Sequence, residues 1–312
     1  MAKQSLLDVN GAKPKVNEGD LHYKFYNDPE YSNLRARYNS LLALGYDYFT
    51  TVMPMKNDIV DEDIIGTSKA KGLYVVDNMF EKGSAYNISD TDKKVLVDNT
   101  NMRVSLFSKE ITQAFVYFFT DKGDTVLDPF MGHDSRMTSV IETGRNYIGY
   151  DVAKKYVELT QERFNKMKDK HEATAILKWE SSENISEPDN SVDLVFSSPP
   201  FWNAEYYDND PRQIGNGTYQ EFLDKLTVII SQCKRVLKPR HFIALHCEDI
   251  RRNGTLIPLH SDIIDIYKKL GIELTNIVVT PYTNFAKSFR INKIVQQYFG
   301  KAHGYIIVGK KS

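Results

Sequence analysis

Short apolar runs alternate with amphipathic helical patterns along the chain from about residue 124 onward. The strand candidates are residues 124–128, 146–150, 173–178, 192–197, 241–247, 275–281 and 303–309. The helix candidates in this region are residues 135–143, 153–168, 218–237 and 260–271, and a further helical pattern precedes it at residues 110–120. Strands that alternate with helices favour a mostly parallel sheet covered on both faces. The pattern therefore predicts a doubly wound α/β fold.

The first hundred residues have a different pattern. Residues 29–52 predict one or two amphipathic helices rich in Tyr, whereas residues 54–100 are polar and rich in turn-forming residues, with a strand candidate at residues 72–76. We therefore expect an N-terminal, mainly helical extension over residues 1–100, which is a candidate for target recognition, and a main domain over residues 101–312.

Composition narrows the functional classes. The 312 residues are 41% hydrophobic and 26% charged, as expected for a packed soluble core. The chain has neither an apolar run long enough to span a bilayer nor a signal-peptide pattern at its N-terminus, so we expect a cytoplasmic protein that does not enter membranes. The net charge of −1 means that binding to nucleic acid would require a local basic face.

The strand candidate at residues 192–197 leads directly into Ser198-Pro199-Pro200-Phe201-Trp202. Two consecutive prolines cannot continue a strand, because each lacks an N–H donor and has a fixed φ. The chain therefore turns at the strand end and leaves carbonyl groups free beside an aromatic ring. This combination suits a flat ring that carries an amine, although a Pro-Pro turn also occurs as a turn without any binding role.

A second segment, Thr125-Val126-Leu127-Asp128-Pro129-Phe130-Met131-Gly132, predicts a buried strand that runs into a tight turn. The next strand candidate ends at Asp151, 19 residues after Gly132. An acidic residue about 20 positions beyond a glycine turn can bind ribose hydroxyls in open α/β sheets. The spacing fits a cofactor that contains a nucleoside, while Asp151 could equally cap the helix that begins near residue 153.

At these residues the chain resembles the S-adenosylmethionine-dependent amino-methyltransferases that modify adenine N6 or cytosine N4 in DNA. Residues 128–132 resemble the cofactor motif Asp-Pro-Phe-x-Gly, and residues 198–201 resemble the catalytic motif (Ser/Asp/Asn)-Pro-Pro-(Tyr/Phe/Trp). Residues 107–109 are similar to a further cofactor segment. The resemblance covers roughly residues 101–312 and implies a methyltransferase catalytic domain with a Rossmann-like, seven-stranded mixed sheet whose last two strands are antiparallel.

The resemblance also implies roles for individual residues. The implied catalytic residues are Ser198, Pro199, Pro200 and Phe201, and the implied cofactor-binding residues are Ser108, Lys109, Asp128, Pro129, Phe130, Gly132 and Asp151. The implied cofactor is S-adenosylmethionine, and the implied partner is double-stranded DNA with the target base flipped out. A restriction-modification role is also implied, and pairing with a second copy of the chain is left open.

Two positions depart from the family pattern. Asp134 stands where the family has its second glycine, and its carboxylate is expected to crowd or repel the carboxylate of the cofactor. Because Asp tolerates a positive φ better than most residues, the turn itself should persist. Within the family that the chain resembles, a serine at the position of Ser198 favours cytosine N4 over adenine N6. Methylation of RNA or of a nucleotide, and a catalytically degenerate nucleic-acid-binding module that Asp134 would favour, are the alternatives.

The C-terminal part of the chain predicts a nucleic-acid surface. Residues 276–312 contain six Lys or Arg and no Asp or Glu. Cationic, aromatic and amide side chains alternate within this region, as contacts to phosphates and bases require. The candidate nucleic-acid-binding residues are Lys287, Arg290 and Lys293, together with Trp202 beside the Pro-Pro turn. A solvated basic C-terminus would give the same composition.

Two other chemistries are not favoured. Methylation at cytosine C5 needs a reactive thiolate, but Cys233 lies in a helical pattern and Cys247 ends an apolar strand, so we expect both in the core. His246, Glu248 and Asp249 are close together in sequence, but neighbouring strand residues point to opposite faces, so we predict no metal site there.

Overall fold

The computed structural model describes residues 29–44, 107–202, 210–252, 254–281 and 303–312. The strands within these residues are β1 (Thr125–Asp128), β2 (Asn146–Tyr150), β3 (Ala175–Lys178), β4 (Val192–Ser197), β5 (Leu237–Cys247), β6 (Ile250–Arg252), β7 (Thr255–Ile257), β8 (Ile272–Pro281) and β9 (His303–Lys311). Seven of them form one sheet in the order β3-β2-β1-β4-β5-β9-β8, and β6 and β7 form a separate hairpin.

The sheet is mixed in the way that the sequence predicts. β1 to β5 run parallel to one another, whereas β9 pairs antiparallel with both β5 and β8. The predicted seven-stranded mixed sheet with an antiparallel final pair is confirmed. Because β1 and β4 are adjacent and parallel, the turns that follow them lie at the same edge of the sheet.

The helices lie on both faces of this sheet. Their bounds are α1 (Ser32–Ala43), α2 (Lys109–Phe119), α3 (Ser135–Glu142), α4 (Lys154–Met167), α5 (Tyr219–Val236) and α6 (Leu259–Lys269). The start of α5 is fixed by a capping box, in which Thr218 accepts from the backbone N–H of Glu221 while the Glu221 side chain accepts from the N–H of Thr218.

Successive strand residues point to opposite faces and so contribute to two separate cores. Leu127 and Val195 pack into the core that contains Ile230 of α5. Val126 and Phe196 pack into the other core, which contains Phe115 of α2. The sheet is therefore buried on both faces, which confirms the doubly wound architecture.

Two local features differ from the sequence-based prediction. β5 begins at Leu237 rather than at residue 241, because its register against β4 shifts at a bulge that contains Pro239 and Arg240, whose φ is 63°. A proline normally ends a strand, so the pattern alone predicted the later start. The β6–β7 hairpin was missed because its strands have only three residues each.

One helix of the predicted N-terminal extension lies among the described residues. α1 packs on α2, with Leu41 buried and Arg37 Nε 2.7 Å from Asp121 Oδ1. The helix predicted within residues 29–52 is confirmed over Ser32–Ala43. Residues 45–106, including the strand candidate at 72–76, lie outside the described residues, and the division into 1–100 and 101–312 stays a prediction.

Candidate active site

The two motifs meet at the edge of the sheet where β1 and β4 end. Residues from the glycine turn and from the Pro-Pro turn line one pocket, in which Phe130 and Gly132 face Ser198 and Phe201. Asp151, Ser181 and Arg212 also line this pocket. A single ligand can therefore contact both motifs, as the sequence-based interpretation requires.

The buried carboxylate of Asp128 joins the two motifs from below. Its Oδ1 accepts from Ser197 Oγ at 2.5 Å, and its Oδ2 accepts from Tyr147 OH at 2.8 Å and from Arg136 Nε at 2.6 Å. These donors belong to β4, β2 and α3, respectively. Asp128 has no exposed surface, and it is not one of the described residues that line the pocket. It therefore fixes the distance between the glycine turn and the Pro-Pro turn, because Ser197 directly precedes the latter.

Arg136 holds the glycine turn itself. Its Nη2 donates to the carbonyl oxygen of Met131 at 3.1 Å and to that of Phe130. Gly132 has a φ of 53°, a conformation that favours glycine. Behind the turn, a Cβ on Gly149 would lie 2.6 Å from Met131 Sδ, so the turn packs on β2 only because that position has no side chain.

Asp151 reaches the same turn from the end of β2. Its Oδ2 accepts from the Gly132 N–H at 2.8 Å, and its Oδ1 accepts from the Ala153 N–H at 2.7 Å. The N-cap of α4 is Ala153, so Asp151 is not the helix cap that the sequence offered as an alternative, although its carboxylate does bind the N–H of that residue. Asp151 also lines the pocket, and its binding to ribose stays a prediction. Burial raises the pKa of Asp151 to about 6, although the two N–H donors oppose the rise. Each oxygen can still accept a further hydrogen bond.

Asp134 turns away from the glycine turn. Its Oδ2 accepts from Arg163 Nε on α4 at 2.7 Å, and its other oxygen pairs with His133. Burial alone would raise the pKa of Asp134, but the hydrogen bonds and charges of His133 and Arg163 lower it to about 2. Its φ is −64°, so the expected positive φ is wrong. Arg163 holds the carboxylate toward α4, and Asp134 is not part of the pocket wall formed by the described residues, so the contacts do not support the expected crowding.

The Pro-Pro turn forms the opposite wall. Ser198 is partly exposed there, whereas Phe201 is only 8% exposed and packs into the core beneath the pocket. Trp202 adopts a φ of 47°, an uncommon conformation for a bulky residue. Its Nε1 donates to the Gly217 carbonyl at 2.9 Å. Such strain is often found beside functional sites.

Phe107 is the one residue of the predicted cofactor segment 107–109 that lines the pocket, and Arg136 and His246 are neighbours of the site that the sequence did not predict. Phe107 and Arg136 line the pocket, and the buried His246 contacts Ser198, with 3.3 Å between Nδ1 and Oγ. The guanidinium of Arg136 lies 5.4 Å from the centre of the Phe107 ring. No spacing signal in the chain points to these contacts, since they join segments that are distant in sequence.

Some predicted site residues lie elsewhere. Ser108 caps α2 by accepting from the Ile111 N–H at 3.2 Å, and Lys109 Nζ is 2.5 Å from Glu142 Oε2. Neither belongs to the pocket wall formed by the described residues. Lys287, Arg290 and Lys293 fall outside the described part of the chain.

His246 and Asp249, near the end of β5, each contact a protein side chain. Asp249 Oδ1 is 2.6 Å from His260 Nδ1. Within the part of the chain that the structure describes, no group of three or more His, Cys, Asp or Glu has the arrangement of a metal site. In the same residues no helix has both the length and the apolar composition needed to cross a bilayer.

The pocket's polar groups suit a nucleoside-containing methyl donor. Asp151 would offer carboxylate oxygens to ribose hydroxyls, and the glycine turn would allow the backbone to approach the ligand closely. The turn leads into α3, and the first N–H groups of a helix carry a partial positive charge that suits a carboxylate. The residues present therefore fit S-adenosylmethionine.

Comparison with known proteins identifies the class of this site. The model of the DNA methylase family of N6 and N4 methyltransferases matches residues 37–162 and 192–312. The match covers both turns and more than half of the chain. The protein belongs to this family, which confirms its resemblance to S-adenosylmethionine-dependent DNA amino-methyltransferases.

Individual relatives agree with this assignment. The chain is 40% identical over 93 residues to Type II methyltransferase M.BglII of Bacillus subtilis, a match that covers 30% of this chain and 24% of the relative. It is 24% identical over 295 residues to Type II beta methyltransferase M.BslI of Bacillus sp. (strain NEB-606), which covers 88% of this chain and 31% of the relative. The chain thus matches a third or less of the length of these curated relatives.

A solved structure is also similar. The chain is 26% identical to TTHA0409 from Thermus thermophilus, described as a DNA modification methylase, with a TM-score of 0.30. The similarity covers 40% of this chain and 47% of that one.

The Asp128 contacts predict a large effect on stability. Asp128→Ala should lower the free energy of unfolding by about 3–5 kcal/mol, because it leaves the Arg136 guanidinium buried without its carboxylate. Urea unfolding of the full chain would measure the loss. Asp265→Ala is the matched control, since its ion pair with Lys268 is exposed and should contribute at most about 1 kcal/mol. Similar losses in the two variants would contradict the role given to Asp128.

The raised pKa of Asp151 predicts that cofactor affinity depends on pH. Hydroxyl donors favour the ionised carboxylate, so the affinity for S-adenosylmethionine should fall as the pH is lowered through about 6. Calorimetric titrations across this range would measure the fall. Asp151→Asn removes the titration and should give a flatter profile. An unchanged profile in that variant would assign the pH dependence to another group.

The raised pKa of Asp151 also affects folding. The pKa of Asp151 in the folded protein is above its ordinary value of 3.8. The contribution of Asp151 to the free energy of unfolding is therefore complete below pH 3.8 and is lost as the pH rises through about 6. Ligand hydroxyls that bind the ionised form would offset this loss. Bound cofactor should therefore stabilise the protein more at neutral pH than at pH values below the pKa.

Proposed function

We propose that this protein transfers a methyl group from S-adenosylmethionine to the exocyclic amine of a DNA base, with cytosine N4 favoured over adenine N6. The observation that carries the proposal is that the glycine turn and the Pro-Pro turn line one pocket. The similarity to Type II methyltransferases supports a role in restriction-modification.

The wall at the Pro-Pro turn suits the chemistry of an exocyclic amine. Such an amine is a poor nucleophile, because its lone pair is delocalised into the ring. Acceptors that hold both amino hydrogens favour a pyramidal nitrogen whose lone pair is available for attack. Ser198 Oγ and the Pro199 carbonyl are the proposed acceptors, and Phe201 is the proposed aromatic wall against the base. The pocket would act by positioning and electrostatics.

The transfer itself needs little acid–base help from the protein. When bound, S-adenosylmethionine supplies an electrophilic methyl group on a sulfonium sulfur. Ser198 Oγ and the Pro199 carbonyl would hold the amine toward that methyl group, so that the nitrogen–carbon bond would form as the carbon–sulfur bond broke. The methylated nitrogen then carries a positive charge and releases a proton to water, so no strong base is required in the pocket.

Two alternative chemistries have less support. Methylation at cytosine C5 would need a nucleophilic thiol, but Cys233 and Cys247 are both buried, and burial raises the pKa of Cys233. Asp134 is the feature that favours a degenerate binding module, and its ion pair with Arg163 weakens that argument. Transfer assays with adenine-containing DNA, RNA and nucleotides would distinguish the other substrate classes.

The described residues also offer a surface for duplex DNA. The β6–β7 hairpin follows β5 at the same edge of the sheet as the pocket, and it carries the exposed Arg251 and Arg252. The guanidinium of Arg252 lies 5.6 Å from the centre of the Trp202 ring, beside the Pro-Pro turn. Both arginines could contact phosphates next to a flipped base. Lys287, Arg290 and Lys293 are proposed as a further contact.

The proposed base pocket predicts a selective loss of methyl transfer. Phe201→Ala should lower the transfer rate by roughly 100-fold, because a misplaced amine loses its alignment with the methyl group. Incubation of unmethylated genomic DNA with labelled S-adenosylmethionine would measure the rate, and nucleoside mass spectrometry would distinguish N4-methylcytosine from N6-methyladenine. Phe118→Ala is the control, since that ring is 41% exposed on α2. Near-normal transfer by folded Phe201→Ala would remove Phe201 from the site.

The hairpin predicts a change in the salt dependence of DNA binding. Replacing both Arg251 and Arg252 by Ala should reduce the slope of log K against log salt by about 2, since each phosphate contact contributes about 0.9. Fluorescence anisotropy with duplex DNA at several salt concentrations would measure the slope. Replacement of Lys268 and Lys269 by Ala makes the same charge change at the far end of α6 and should leave the slope unchanged. Equal slopes in the wild-type protein and in both double variants would exclude the hairpin arginines from the phosphate contacts.

A further inference from the structure

We propose that His246 is a positioning residue that holds the Ser198 hydroxyl as a pure hydrogen-bond acceptor toward the target amine. The inference rests on the proposed function, because it concerns the polarity of one contact in that reaction. It gives a role to a histidine that lies at the end of β5, behind the Pro-Pro turn.

The geometry directs one ring nitrogen at the serine. His246 is 3% exposed, and its Nδ1 is 3.3 Å from Ser198 Oγ. Phe107 packs its ring edge-on against the imidazole, with 5.1 Å between the two ring centres. The ring centre of Phe201 lies 5.9 Å from that of the imidazole. Two pocket-wall aromatics thus restrict the rotation of the imidazole. The distance is long for a hydrogen bond, but catalytic contacts often tighten when substrate is present.

The other nitrogen faces the end of the sheet. A Cβ on Gly304 would lie 2.9 Å from His246 Nε2 and 3.0 Å from Thr280 Oγ1. The imidazole therefore fits against β9 only because position 304 is a glycine. The ring is held between the Pro-Pro turn on one side and the β8–β9 pair on the other, so its Nδ1 has little freedom to leave Ser198.

The polarity of the serine matters because a hydroxyl can either donate or accept. If the Ser198 hydrogen pointed into the pocket, it would compete with the methyl group for the lone pair of the target nitrogen. If the hydrogen instead points at Nδ1, only oxygen lone pairs face the pocket, and these accept from the amine. A bare Nδ1, with the ring hydrogen on Nε2, is the tautomer that gives the productive arrangement.

A pair of substitutions separates this role from simple packing. His246→Asn keeps an amide oxygen near the place of Nδ1, whereas His246→Gln keeps a polar group near Nε2 and removes the acceptor that faces Ser198. We expect single-turnover transfer at saturating cofactor to fall roughly 3- to 10-fold in the Gln variant, the range that corresponds to one neutral hydrogen bond. The Asn variant should retain most of the rate. Urea unfolding would confirm that both variants are folded.

A double-mutant cycle completes the test. In a Ser198→Ala background the loss caused by His246→Gln should disappear, because no hydroxyl remains to be oriented. Equal losses in the Asn and Gln variants, or a loss that persists without the hydroxyl, would overturn the inference and leave His246 as a packing residue. Absence of transfer to DNA by the wild-type protein would instead overturn the proposed function.

The tautomer can be measured without any reaction. Nitrogen-15 NMR of histidine-labelled protein should show His246 with its hydrogen on Nε2, and the Nδ1 resonance should shift in Ser198→Ala. A hydrogen on Nδ1 in the wild-type protein would overturn the inference regardless of the activity assays. An Nδ1 resonance that does not shift in Ser198→Ala would also overturn the inference.

Discussion

The buried carboxylate of Asp128 is the constraint on which the rest of the site depends. It accepts hydrogen bonds from β2, β4 and α3 at once, so the glycine turn and the Pro-Pro turn cannot move independently. A buried charge is costly unless it is fully paired, and here the pairing comes from a guanidinium and two hydroxyls. The resulting network sets the width of a pocket whose two walls come from segments about 70 residues apart.

Neighbouring carboxylates in this site behave differently because their partners differ. Asp134 meets His133 and Arg163, which lower its pKa and draw it toward α4. For Asp151 the loss of solvation outweighs the N–H groups of Ala153 and Gly132, and its pKa is raised to about 6. The first is thereby kept ionised and outside the pocket wall formed by the described residues, while the second lines the pocket. The departure from the family's glycine pattern at residue 134 is thus compatible with a working site, because Arg163 on α4 compensates for it.

Much of the fold could be predicted from the chain alone, because periodicity reports directly on strands and helices. The runs at residues 146–150 and 192–197 match β2 and β4 at both ends. The prediction was less accurate where tertiary contacts override local preference. Pro239 lies inside β5 because a bulge accommodates it, and the β6–β7 hairpin is too short to leave a periodic signal. Similarly, residues 107–109 were assigned to the cofactor as a unit, but only Phe107 of them lines the pocket.

The sequence by itself determined the family, the order of the elements and the two turns, since these depend on local residue types and on motif spacing. Only the tertiary structure decided the orientations of side chains within the site. The direction of the Asp134 carboxylate depends on α4, and the contact between Ser198 and His246 depends on the alignment of β4 with β5. Such contacts join segments that are remote along the chain, and their geometry follows from packing rather than from any local pattern.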